Sequence, residues 1–261
     1  MNHEQFVGID IAKEKFDVAL EQANSYRERT FPNTKSGINA FYQWLMKYAQ
    51  QPWVCMEATG HYGEMLAEFL YEKGLKVSVI NPLQIKRFGQ AKLMRNKNDL
   101  IDAKLIAQFG KVMNPRLFIP KCPKQKELND LVKLLNTLKM QLVQFKNQRD
   151  SIQSVDAVKA IKRFIIRLEK DIASIQDKLA ALTEQDELFK KQLELITSIK
   201  GVGNLTAYTV LARIGDINQF ETAKQFAAFI GVSPRETSSG KFIGKTRLSC
   251  LGDSSLRKAL F

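Results

Sequence analysis

The sequence predicts a mixed α/β domain, then two long helices, then a small, mainly helical C-terminal domain. Three observations predict this. Short apolar runs alternate with amphipathic stretches up to about residue 115. From residue 121 the apolar positions step by three and four. From residue 193 the pattern is first helical and then punctuated by glycine and serine. The expected boundaries are therefore 1–115, 121–192 and 193–261.

In the first section, Gln5–Asp10 (QFVGID) and Phe16–Glu21 (FDVALE) read as two strands joined by a polar turn. Tyr26–Phe31 is a third strand. Asn33 or Thr34 caps a helix through Tyr48, with Phe41, Trp44, Leu45 and Tyr48 on one face. Trp53–Glu57 suits a buried central strand. A helix from about His61 to Lys73 stops at Gly74. Lys76–Ile80 is a fifth strand, closed by Asn81-Pro82, and Asp99–Phe109 is a helix. A three-strand meander followed by helix, strand, helix, strand, helix is the order of the ribonuclease H-like fold.

In the second section, Leu128, Leu131, Leu135, Leu138, Leu142 and Phe145 form one heptad seam. Ile161, Ile165, Leu168, Ile172, Ile175, Leu179 and Leu182 form another. The stretch Arg149–Asp156 breaks the register. This pattern fits a coiled-coil connector, either as a hairpin or as a seam for a second copy. In the third section, IKGVG at 199–203 precedes a helix over Asn204–Ile214. Two glycines at a helix start fit a helix-hairpin-helix element, in which Gly201 and Gly203 let backbone N–H groups approach a phosphate. They also fit a plain inter-helix turn.

Composition narrows the function. Forty Lys and Arg oppose 27 Asp and Glu, and the resulting charge of +13 favours a polyanionic partner. Two histidines, His3 and His61, are too few for a His-rich zinc site. Cys55, Cys122 and Cys250 are widely spaced and odd in number, which argues against a disulfide framework. No apolar run spans a bilayer and no leader is evident, so a cytoplasmic location without membrane contact is expected.

Four acids sit where the predicted elements place them near one another. Asp10 ends the first strand and Glu57 the central one, while Asp99 and Asp102 share one helix face. Such a cluster resists ionisation unless cations neutralise it. Mg²⁺ prefers hard oxygen ligands, and two ions suit phosphoryl transfer. Taken singly, each acid also reads as a turn, cap or surface residue. Lys86, Arg87, Lys92, Arg95, Lys97 and Lys104 flank the cluster, either along a nucleic-acid backbone or on a solvated helix face. Further on, Ser239 is followed by Lys241, Lys245 and Arg247. Cations of this kind would stabilise a serine attacking a phosphodiester, although turn serines are common; Ser233 and Ser238 lie nearby.

Five segments in this order carry a resemblance: GIDIAK at 8–13, MEATG at 56–60, KNDLIDAKLIA at 97–107, IKGVG at 199–203 and FAAFIGVSPRETSSGK at 226–241. Together they resemble the DEDD transposases of bacterial insertion sequences, relatives of pilin-gene-inverting recombinases. The resemblance implies a RuvC-like catalytic domain, a coiled-coil connector and a C-terminal transposase domain. It maps the acidic tetrad to Asp10, Glu57, Asp99 and Asp102, binding Mg²⁺ or Mn²⁺, and the serine nucleophile to Ser239. The implied chemistry is cleavage of double-stranded DNA through a phosphoserine link, then strand exchange. The implied site is composite across a dimer or tetramer, and the implied partner is a structured guide RNA that chooses the sequence by base pairing. Members of that family continue beyond the segment matching LRKAL, whereas this chain stops at Phe261. The readings set against this one are a junction-resolving endonuclease that uses water and a nonenzymatic nucleic-acid-binding protein.

Overall fold

A computed structural model of the chain describes residues 5–23, 25–58, 60, 62–93, 98–235, 238–239, 242–249 and 251–260. The chain divides into two units, 1–120 and 121–261.

The first unit is built on a five-stranded sheet. Its strands are β1 (Gln5–Ile11), β2 (Lys15–Glu21), β3 (Tyr26–Pro32), β4 (Pro52–Glu57) and β5 (Lys76–Ile80). Their order is β3-β2-β1-β4-β5. The first three pair antiparallel, while β1–β4 and β4–β5 pair parallel. This is the mixed sheet of a ribonuclease H-like fold, as the element order predicts.

The period of two along each strand sorts side chains onto two faces. Val7, Ile9, Phe16, Val18, Leu20, Val54 and Met56 face one core with helices α1 (Lys35–Tyr48) and α2 (Glu64–Glu72). Phe16, Phe31, Phe41 and Trp44 interlock there, mostly edge to face, with successive ring centroids 5.4–6.3 Å apart. Burying each such ring contributes on the order of 1.5–3 kcal/mol. Phe6, Trp53 and Cys55 face the opposite core with α3 (Pro82–Ala91) and α4 (Asp99–Met113).

Thr34 is the cap of α1, accepting from the Gly37 N–H. The helix expected from His61 begins at Glu64, and His61 lies outside the described residues. Gly74, at φ +76°, ends that helix segment as expected. Asn81-Pro82 does more than close β5. Asn81 accepts from the Leu83 N–H and Pro82 supplies the first turn, so the pair also starts α3.

Helix α4 lies unusually close to β1. A Cβ added to Gly8 would stand 1.9 Å from the Ala103 carbonyl oxygen and 2.4 Å from the Ala107 nitrogen. One at Gly110 would stand 2.5 Å from Cys55 Sγ. Ala103, Ala107 and Gly110 thus form a small-residue seam on α4 that meets the backbone of β1 and β4. Along the sheet, Lys104 pairs with Glu28 at 2.7 Å and Lys111 with Glu21 at 2.6 Å.

In the second unit, α5 (Pro123–Ser151) and α6 (Val155–Glu184) are joined by a three-residue link, Ile152–Ser154. They run back along each other: Phe145 stacks on Phe164, and Lys146 pairs with Glu169 at 2.9 Å. The base of this pair, Leu128, Val132, Leu135, Ile175 and Leu179, shares a core with α7 (Glu187–Thr197) and α8 (Asn204–Ile214). A further core joins α8 to α9 (Ala223–Ile230) and α10 (Ser254–Leu260) through Val210, Ile214, Ile230 and Leu256. Arg213 clamps Asp253 through two contacts of 2.7 and 2.5 Å, and Asp253 caps the start of α10. Two-residue strands β6 (Pro234–Arg235) and β9 (Arg247–Leu248) pair, as do β7 (Ser238–Ser239) and β8 (Phe242–Ile243). Among the described residues, no helix is long and apolar enough to cross a membrane.

Because backbone cannot retreat as a flexible side chain does, Gly8→Ala should lower stability by about 2–3 kcal/mol. A denaturant melt of the variant checks this, and an unchanged midpoint would mean α4 is not seated on Gly8.

Candidate active site

Strands β1 and β4 run in parallel and end side by side. The last paired positions are Ile9 and Met56, so Asp10 and Glu57 follow directly at neighbouring strand ends. Both belong to the period-two set that faces α4, with Gly8 and Cys55 two residues before them. Helix α4 runs opposite to β1: Ala107 and Ala103 pass over Gly8, which leaves its first turn beyond the end of the strand. Asn98 caps that turn by accepting from the Ile101 N–H at 2.8 Å. Asp99 and Asp102 occupy the turn, where the helix dipole favours negative charge.

All four sequence-predicted acids therefore reach one end of the sheet, and the electrostatics register it. Asp10 is pushed from 3.8 up to about 6 by its partial burial and by the charges of Asp102, Glu57, Asp99 and Asp17. The acids are not, however, drawn into a cage. Among the described residues, no three His, Cys, Asp or Glu side chains form a ready ion-binding group.

Two residues at this site escaped the sequence reading. Asp17 is the cross-strand partner of Asp10 and is only 4% exposed. Lys15 bridges Asp17 at 3.0 Å and Asp99 at 2.8 Å. The signal was present in the sequence: β2 alternates, so Lys15 and Asp17 fall on the α4 face opposite the apolar Phe16 and Val18. Thr30 donates to the Asp17 carboxylate from β3. Asn33 ties the turn after β1 to the loop after β4, donating to the Ala12 and Tyr62 carbonyls at 3.0 Å each.

The flanking cations divide. Lys86 and Arg87 are exposed on α3. Lys92 donates to Gln108 and lies over the Phe88 ring, 5.2 Å from its centroid. Lys104 is engaged with Glu28. Arg95 and Lys97 lie outside the described residues. Cys55 is buried in the α4 core, which pushes its thiol up to about 12 and makes it unreactive. Cys122 is exposed, its sulfur accepting from the Gln125 N–H, and Cys250 lies outside the described residues.

In the second unit, Gly201 has φ +92° in the turn between α7 and α8, and Gly203 precedes α8. A Cβ at either glycine would meet nothing within 4 Å, so this backbone faces open space. Ser239 pairs with Phe242 between β7 and β8, and Lys241 lies outside the described residues. Lys245 is exposed. Arg247 stands directly opposite Arg235, both exposed, a like-charge pair that the sequence reading did not single out.

Comparison with known proteins agrees with the motifs. Residues 7–153 match the DEDD transposase family of the IS110 type. Residues 193–261 match the family described as transposase IS116/IS110/IS902. The chain is 31% identical over 261 residues to the pilin gene-inverting protein of Moraxella bovis, covering 98% of this chain and 80% of that one. It is 25% identical over 288 residues to the transposase for insertion sequence element IS1111A of Coxiella burnetii, covering 98% and 76%. Among solved structures, it is similar to Thermus thermophilus RuvC in complex with a Holliday junction substrate. That match has 13% identity and a TM-score of 0.35, and covers 44% of this chain and 100% of that one. With both units matched, the chain belongs to the IS110/IS116 family of insertion-sequence transposases.

Proposed function

We propose that this transposase cuts and rejoins double-stranded DNA with a divalent-metal site made of Asp10, Glu57, Asp99 and Asp102 and with Ser239 as the nucleophile. The observation that carries the reading is the delivery of four carboxylates to one sheet end, where Asp10 feels the charges of the other three. The donor set fits the ion. All four supply hard oxygens, and a divalent cation would offset the burial and the neighbouring charges that raise the pKa of Asp10. Mg²⁺ or Mn²⁺ bound there, as a pair, supplies the charge stabilisation that phosphoryl transfer needs.

The chain's own residues set the rest. Asp10 must give up its proton to become a ligand. Asp99 and Asp102 are held by the capped first turn of α4. Attack by the Ser239 hydroxyl oxygen on phosphorus would form a serine O–P bond as the P–O bond to one deoxyribose oxygen breaks, the serine proton passing in balance to that leaving sugar hydroxyl. The energy for rejoining is kept, whereas water would release it. Arg235 and Arg247 repel each other until an anion lies between them, which suits a DNA phosphate. The open backbone at Gly201 and Gly203 suits a second phosphate contact, in the manner of a helix-hairpin-helix element. Lys86 and Arg87 suit a third. Acids and serine belong to separate units, and we assign their meeting to a homo-oligomer, a dimer or tetramer. A structured guide RNA paired to the DNA would choose the sequence and leave the protein to hold backbones.

Incubation of the chain with Mg²⁺, its element-end DNA and the flanking transcript tests this. The expected product is protein joined to DNA through Ser239, found by denaturing gel and peptide mass spectrometry. Ser239→Ala should abolish the link, and Asp10→Asn should slow cleavage by at least about 10²-fold. Cleavage that survives Ser239→Ala would make the protein a water-using endonuclease. Omitting the transcript without effect would remove the guide.

A pH dependence also follows. The folded pKa of Asp10 lies above its ordinary value, so the ion-free fold holds an extra proton between 3.8 and about 6. Stability is therefore lost as pH rises through that window. Asp10→Asn should raise the melting temperature of ion-free protein at pH 7 by about 2–4 °C, a value discounted for partial exposure. The gain should shrink as pH falls through this window and vanish well below 3.8, where wild-type Asp10 is protonated in either state. Parallel melts in chelator across pH check it, and no gain at pH 7 would mean that the acids do not crowd Asp10.

A further inference from the structure

Among the described residues, Lys15 is a cation that the site already contains. Its ammonium sits between two carboxylates of different character. Asp17 is nearly inaccessible, is fixed by Thr30 and lies across from Asp10. Asp99 is on the rim, with its side chain 57% exposed, at the start of α4. The inner contact is 3.0 Å and the outer 2.8 Å. A divalent ion held by Asp99 with Asp10 and Asp102 would draw on the same carboxylate whose Oδ2 now accepts from Lys15. Ion and ammonium repel each other, so they cannot share it at full strength.

We infer that Lys15 is a tethered counter-cation: anchored by Asp17, it holds Asp99 while no metal is bound and yields Asp99 when metal enters. This rests on the metal-site reading above. Lys15 is here a positioning residue, acting through Asp99. Its role is to keep the first turn of α4 next to the strand ends against carboxylate repulsion. The cost is competition with the incoming ion. An exposed pair of this kind is weak, so the competition is modest.

The probe is Mn²⁺ alone, titrated into the full chain by calorimetry and by the loss of its free-ion paramagnetic resonance signal. Lys15→Met should bind Mn²⁺ roughly two- to fivefold more tightly than wild type. It should melt at a lower temperature than wild type without ions and at the same temperature when saturated with Mn²⁺. Lys15→Arg, which keeps the charge and reach, should restore wild-type affinity. Lys13→Met removes an exposed charge from the same turn and should leave affinity unchanged. The inference is overturned if Lys15→Met binds no tighter, if Lys13→Met tightens binding equally, or if Lys15→Met melts lower with and without Mn²⁺. Wild-type binding that Asp10→Asn removes, together with an unaltered Lys15→Met affinity, would sink Lys15's role and leave the metal site standing. No binding by wild type would sink both.

Discussion

Everything at the candidate site depends on how near α4 comes to β1. Backbone meets backbone there because Gly8 has no side chain, and Ala103 and Ala107 have almost none. A larger residue at position 8 would lift the helix off the strand. The separation matters because Asp99 and Asp102 ride on that helix while Asp10 ends that strand. Electrostatic coupling between carboxylates decays with distance, so a packing contact inside the core sets the chemistry at the rim.

That closeness has an electrostatic cost, and the fold offsets it locally. The α4 face of the sheet carries Asp10, Asp17, Glu21, Glu28 and Glu57. Lys104 and Lys111 from α4 neutralise Glu28 and Glu21, away from the strand ends. Lys15 answers Asp17 and Asp99. Asp10 has no such cation among its shifting neighbours, and its carboxyl remains half protonated at about pH 6. Among the described residues, Lys104, Lys111 and Lys15 thus answer acids along the sheet, while burial and neighbouring carboxylates raise the pKa of Asp10.

Much of this was legible in the sequence, and what was missed has a physical explanation. Apolar periodicity located all five strands and α1, because burial on a sheet face leaves a period of two and burial of a helix face a period near 3.6. The acids could be placed because each stands at an element boundary, where boundaries have chemical markers: Asn98 before α4, and the end of an apolar run for Asp10 and Glu57. Helix α3 was missed because Asn-Pro both stops a strand and starts a helix, and only the following residues distinguish these. For Lys104, charge alone leaves a nucleic-acid backbone and a solvated helix face both open, because it cannot show that Glu28 lies across the sheet from it. Lys15 and Asp17 went unnoticed for the same reason. Their meaning comes from antiparallel register, a pairing between strands that no local window contains.

The second unit shows the complementary design. Its cores are held by ordinary packing and by the Arg213–Asp253 clamp, which uses both charges up internally. Arg235 and Arg247 are different, because pairing on β6 and β9 places them opposite each other with like charge. Two strands of two residues gain little from their ladder, and cross-strand repulsion works against them. A like-charge pair kept at the most weakly held part of a fold is better explained by an anion that joins them than by stability.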